Sequence, residues 1–147
     1  MKKFSFALDR VLAWRHTQTR LEEAALARLH GELVALDLRC ASLDRSVAEA
    51  RSTLLTAPSV MPAEIAALEH FRASATAQSR HLLLARQALD LKLAQQTQTV
   101  LERRRAAQLL EQLRDKRRKT WQAAADREID QQAEESFLAR SFPAQSF

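Results

Sequence analysis

The sequence predicts an all-α protein built from two long helices that fold back on each other as an antiparallel coiled-coil hairpin, with the C-terminal helix overhanging. Three observations point there. The chain has one Gly, three Pro and no Asn, so it is poor in the residues on which tight turns depend, and its elements must be few and long. Ala, Leu, Arg, Glu and Gln are abundant, and these residues lose little side-chain entropy in a helix. Apolar residues recur at alternating spacings of four and three, the pattern of a heptad seam.

The first element is expected to span residues 5–56. From Leu26 the seam passes through Leu29, Leu33, Leu36, Cys40, Leu43, Val47, Ala50 and Leu54. Residues 26, 33, 40, 47 and 54 take a positions, and 29, 36, 43 and 50 take d positions. Toward the N-terminus the same frame meets Glu22, Thr19 and Arg15 before it recovers Leu12 and Leu8, so the seam weakens there. Gly31 falls at an outward f position, where its cost of about 1 kcal/mol relative to Ala disturbs no packing.

The break is "TAPSVMP", Thr56 to Pro62. Pro58 stops the first helix, residues 57–61 form the turn, and Pro62 suits the first turn of a helix over residues 62–139. Glu64 then sits near the positive end of the new helix dipole. The second seam uses Ile65, Leu68, Ala75, Leu82, Leu89, Leu93, Val100, Ala107, Leu110 and Trp121. Arg72, Ser79, Arg86, Gln96, Arg103, Arg114 and Arg117 share its frame, and the arginines must run their stems along it to reach water. Residues 140–147, with Pro143, form a tail. A short turn between heptad helices favours a monomeric hairpin in which residue i lies opposite roughly 120 − i, a paired rod of about 75 Å with an overhang after Arg117.

Composition excludes several functions. The single cysteine, Cys40, cannot form an internal disulfide, and no apolar run approaches the roughly 20 residues that span a bilayer. Met1, Lys2 and Lys3 lead into Phe4–Arg10 without the apolar stretch of a signal peptide, so a cytoplasmic location is expected. His16, His30, His70 and His81 are scattered, and no pair has the spacing of a helical metal site. There is no glycine-rich phosphate loop, and a two-helix rod has no pocket in which carboxylates could be tuned for acid–base work. The reading is a non-enzyme without cofactor or metal.

Two features remain that suggest a partner. Residues 101–120 contain eight basic and three acidic residues, a net charge of +5 that equals the net charge of the whole chain. Seven of the eight aromatics, Phe4, Phe6, Trp14, Trp121, Phe137, Phe142 and Phe147, gather at the open end of the expected hairpin. They either staple a fraying coiled coil or, beside arginine, supply the anchors of an interface.

The opening "FSFALDRVLAWR", Phe4 to Arg15, resembles the N-terminal signature of the flagellar export protein FliJ family. The resemblance rests on Phe6, Leu8, Arg10, Val11, Leu12, Trp14 and Arg15, with Trp14 where the family more often has Tyr, and on Glu22 and Glu23 further along. "EESFLAR", Glu134 to Arg140, is similar to the family's Asp-Glu-x-x-x-x-Arg pattern, with Glu134 in place of Asp. The resemblance implies a soluble component of the flagellar type III export apparatus, an antiparallel coiled coil like the stalk of rotary ATPases, held peripherally at the inner membrane. The partners it implies are the hexameric export ATPase FliI, whose pore receives the terminal end, the export gate protein FlhA, and export chaperones. On this reading Phe6, Arg10, Trp14, Arg15, Arg114, Arg117, Arg118 and Trp121 form the ATPase-binding surface. Phe71, Ala75, Gln78 and Leu82 form a second patch, toward the bend, for the export gate.

The basic block admits other readings. A nucleic-acid-binding coiled coil would resemble a bZIP protein, but there the basic region precedes the zipper and is unpaired, whereas here Glu102, Glu111 and Asp115 interrupt the block. An anionic membrane surface would use Leu109, Leu110 and Leu113 beside the arginines. A solvated charged face needs no partner at all. The stalk of a virulence-type injection system shares the architecture of the flagellar one.

Overall fold

The structure is a computed structural model that describes residues 3–141, and among them the regular elements are two α-helices. Helix α1 runs Asp9–Thr56 over 48 residues, and helix α2 runs Pro62–Ser141 over 80 residues. None of the described helices is long and apolar enough to cross a membrane.

Helix α1 begins at Asp9 rather than at residue 5. Before it the chain turns, with the Asp9 N–H donating to the Phe6 carbonyl at 3.1 Å and the Leu12 N–H to the Leu8 carbonyl at 2.9 Å. The turn lets Phe6 be only 4% exposed. Burying a phenyl ring outweighs the small gain from another frayed helical turn. Asp9 places a carboxylate in the first turn, where the helix dipole favours it.

The bend follows from local chemistry. Thr56 ends α1 with its hydroxyl donating to the Ser52 carbonyl at 2.9 Å, and Pro58 keeps the residue before it out of the helical region. At the start of α2 the Glu64 and Ile65 N–H groups donate to the Met61 carbonyl at 3.0 and 3.4 Å. The Met61 N–H in turn donates to the Glu64 carboxylate at 2.9 Å. This is half of a capping box, because methionine has no side-chain oxygen to return the bond.

The chain divides into two compact units. The central unit covers Arg20–Leu101, and its core holds Ala75, Leu89, Leu93 and Val100. The α1 seam from Leu26 to Leu54 is half-buried at each of its nine heptad positions. A two-helix layer covers only one side of a side chain, which is why the leucines stop at half. The Arg86 guanidinium forms an ion pair with the Asp37 carboxylate at 3.3 Å, and the Gln96 amide donates to the Glu22 carbonyl at 3.0 Å and to its carboxylate at 2.6 Å. Partners thus fall in number along α1 as they rise along α2. Ile65, expected on the seam, is 53% exposed, and Arg72 and Ser79 face solvent.

The terminal unit combines the residues up to Thr19 with those from Glu102 onward. Phe6, Leu12, Ala107 and Ala125 are buried, together with Thr19, the one buried polar residue among those described. The Thr19 hydroxyl is satisfied by the Arg15 carbonyl at 2.9 Å. His16 reaches Glu111 at 2.9 Å, and the ring of Phe4 lies 5.8 Å from that of Trp121 at a tilt of 53°. Counting helical turns alone puts Phe4 opposite about residue 116. It meets Trp121 instead, because residues 3–6 are not helical and the helical rise of about 1.5 Å per residue does not apply to them. Burial on α2 therefore continues to Ala125 rather than ending near Arg117, and residues 126–141 are all exposed. The expected tail, with Phe142, Pro143 and Phe147, lies beyond the described residues apart from Arg140 and Ser141, which continue α2.

Candidate functional site

The eight residues expected to form the ATPase-binding surface all belong to the terminal unit, but they occupy different layers of it. Phe6 is core, not surface. The guanidinium of Arg117 lies over its ring at 5.7 Å, so the cation covers the aromatic group while keeping access to solvent. Trp121 is half-buried under Phe4. The structure thus uses Phe4, Phe6 and Trp121 as the staple of the terminal unit, one of the two roles open to the aromatics from sequence.

Trp14 is different. It sits at a c position of α1, pointing away from the seam, and is 50% exposed. The Arg15 guanidinium lies 5.1 Å from its ring centre, which holds the indole and a cation side by side. Arg10, Arg117 and Arg118 are exposed, and Arg114 is half-buried with its Nε 3.9 Å from the Asp115 carboxylate. The contacts join Arg117 to Phe6 and Arg15 to Trp14. The terminal unit therefore offers one large exposed aromatic on α1 and a run of exposed cations, Lys116 to Lys119, on α2.

The second expected patch is divided in the central unit. Ala75 is 5% exposed and belongs to the seam. Phe71, 38% exposed, borders an open groove with Ala50, Leu54 and Leu68. Gln78 and Leu82 line another groove with Arg39, Leu43 and His81. An apolar ring beside a shallow groove can take one apolar side chain of a partner, but Ala75 cannot contribute to that contact.

Three contacts were not foreseen from the sequence. Glu22 and Gln96 each look like a defect in its own heptad frame, yet they face and satisfy one another. The signal was present, because 120 − 22 falls within two residues of 96. His16, one of the four scattered histidines, lies 2.9 Å from the Glu111 carboxylate while both side chains keep access to solvent. Asp37 and Arg86 place an ion pair at a position where α2 lacks an apolar seam residue. No protein-family model, curated protein or solved structure matches the chain.

Proposed function

We propose that this chain is the coiled-coil stalk of a bacterial flagellar type III protein export apparatus. On this reading it closes on itself as an antiparallel hairpin, has no catalytic activity and needs no cofactor. It resides in the cytoplasm, peripherally associated with the inner membrane at the base of the flagellum. Its terminal unit docks in the hexameric export ATPase, promoting ring assembly and activity, and its central unit links the ring to the export gate. Flagellum assembly and motility would then depend on it.

The observation that carries the reading is the segment Phe4–Arg15, whose motif resembles the FliJ signature and whose side chains take complementary roles. Phe6 and Leu12 are buried and hold the segment against α2, whereas Arg10, Trp14 and the cations of residues 116–119 are left to solvent. An exposed tryptophan flanked by arginine is the composition of an interface hot spot. The surrounding positive charge would raise the on-rate toward an acidic partner and make it sensitive to salt.

The test uses the purified export ATPase. Trp14→Ala should weaken ring binding at every ionic strength, by roughly tenfold or more for a hot-spot aromatic, without lowering the thermal midpoint. Replacing Arg117, Arg118 and Lys119 by Gln should weaken it mainly at low salt. Binding and ATPase stimulation that survive both changes would falsify the site. Tight salt-dependent binding to DNA with no effect on the ATPase would replace the stalk by a nucleic-acid-binding coiled coil. Stimulation of an injection-system ATPase, and not of the flagellar one, would move the same stalk to that machinery.

A further inference from the structure

The outer face of α2 in the terminal unit carries a second heptad stripe that the chain's own packing does not use. Leu109, Lys116, Ala123, Asp130 and Phe137 are seven residues apart and all exposed, with Leu109 at 66% and Phe137 at 68%. Lys116 is nine residues from the buried Ala125, about two and a half helical turns, so the stripe lies on the side opposite the packed seam. Its order is apolar, cation, small, anion, apolar. That order is complementary to itself when read backwards.

The wider charge distribution has the same symmetry. Residues 114–119 hold five basic residues and one acid, a net +4, and residues 126–135 hold five acids and one Arg, a net −4. The two blocks flank Ala123 and Ala124 at similar distances along the helix.

We propose that this face docks a second copy of the same chain, antiparallel, about a two-fold axis at Ala123. Across that axis Leu109 of one copy meets Phe137 of the other, Lys116 meets Asp130, and Ala123 meets Ala123. The small central residue lets the helix backbones approach closely, and the basic block of each copy lies against the acidic block of its partner. Lys119 and Arg127 fall near each other on the flank, where their long side chains can diverge into water. A parallel pairing would set Lys116 against Lys116 and Asp130 against Asp130, which selects the antiparallel one. A partner of another sequence would need no such palindrome. The stripe has only two large apolar residues per copy, so the association is weak, with a dissociation constant roughly between 10 and 100 µM. The expected monomer thus becomes a concentration-dependent pair of complete chains. The inference does not depend on the export-stalk reading.

Light scattering and sedimentation of the full chain from about 1 to 500 µM should show the mass rising from one chain toward two, and less so at high salt. Asp130→Lys should weaken the dimer about tenfold, since it removes two attractive contacts per dimer and installs two repulsive ones. Adding Lys116→Asp to it should restore association by reversing both charges. In a Cys40→Ser background, Ala123→Cys should form a disulfide-linked dimer much faster than Leu91→Cys, an exposed site in the central unit. All the substituted positions on the stripe are exposed, so circular dichroism should show unchanged helicity. A single-chain mass throughout, failure of the reversed pair to restore the dimer, or cross-linking at residue 123 no faster than at 91 would overturn the proposal.

Discussion

Phe6 and Trp14 lie eight residues apart and illustrate how burial separates structural from accessible aromatics. Phe6, 4% exposed beneath Arg117, contributes packing. Phe6→Ala should cost about 3 kcal/mol, read as a loss of urea stability, and should uncouple the segment before Asp9 from α2. A variant as stable as the parent would show that the ring is not held. Gly31 is the opposite case. A Cβ added there would meet nothing within 4 Å, and its φ is not positive, so the backbone freedom of glycine serves no purpose in mid-helix. Gly31→Ala should raise stability by about 1 kcal/mol in the same denaturation measurement.

At the level of the element, the bend depends on its caps. Glu64 already returns a hydrogen bond to the Met61 N–H, and what the capping box lacks is an oxygen on residue 61. Met61→Ser should supply it and stabilise the chain by about 0.5–1 kcal/mol, while Glu64→Ala should lose a similar amount. Met61 is 67% exposed, so the substitution forfeits little packing. Equal melting of the serine variant and the parent would mean that the start of α2 is set by Pro62 alone. The heptad frame of α1 was legible in the sequence because each seam residue from Leu26 to Leu54 is apolar and evenly spaced. The start of α1 was not, since heptad counting does not register that Phe6 gains more by turning back than by continuing the helix.

At the scale of the molecule, the proposed hairpin requires the contacts within each unit to lie within one chain. Cysteines at 37 and 86, in a Cys40→Ser background, replace the Asp37–Arg86 ion pair and can be tested with a short bis-maleimide. The expected product migrates as a single chain on a denaturing gel, even at protein concentrations where the Ala123-centred dimer forms. A product of twice the mass would mean that the same heptads pair between chains. The candidate docking surface was only partly legible at this scale. Trp14 could be assigned outward from its c position, and the basic block could be read directly from composition. Neither signal could show that Phe6 and Trp121 would be used to staple the terminal unit.

The sequence by itself determined that the chain is helical, where it breaks, and which side of each helix faces the other, because those properties follow from propensity, proline and apolar spacing along a single axis. It also carried the basic block and the Phe4–Arg15 motif. Only the tertiary structure decided the pairing of Glu22 with Gln96, the reach of Phe4 to Trp121 and the burial of Ala125. Each of these depends on how far one segment advances along another. That distance changes when a few residues leave the helix, and periodicity within a segment does not encode it.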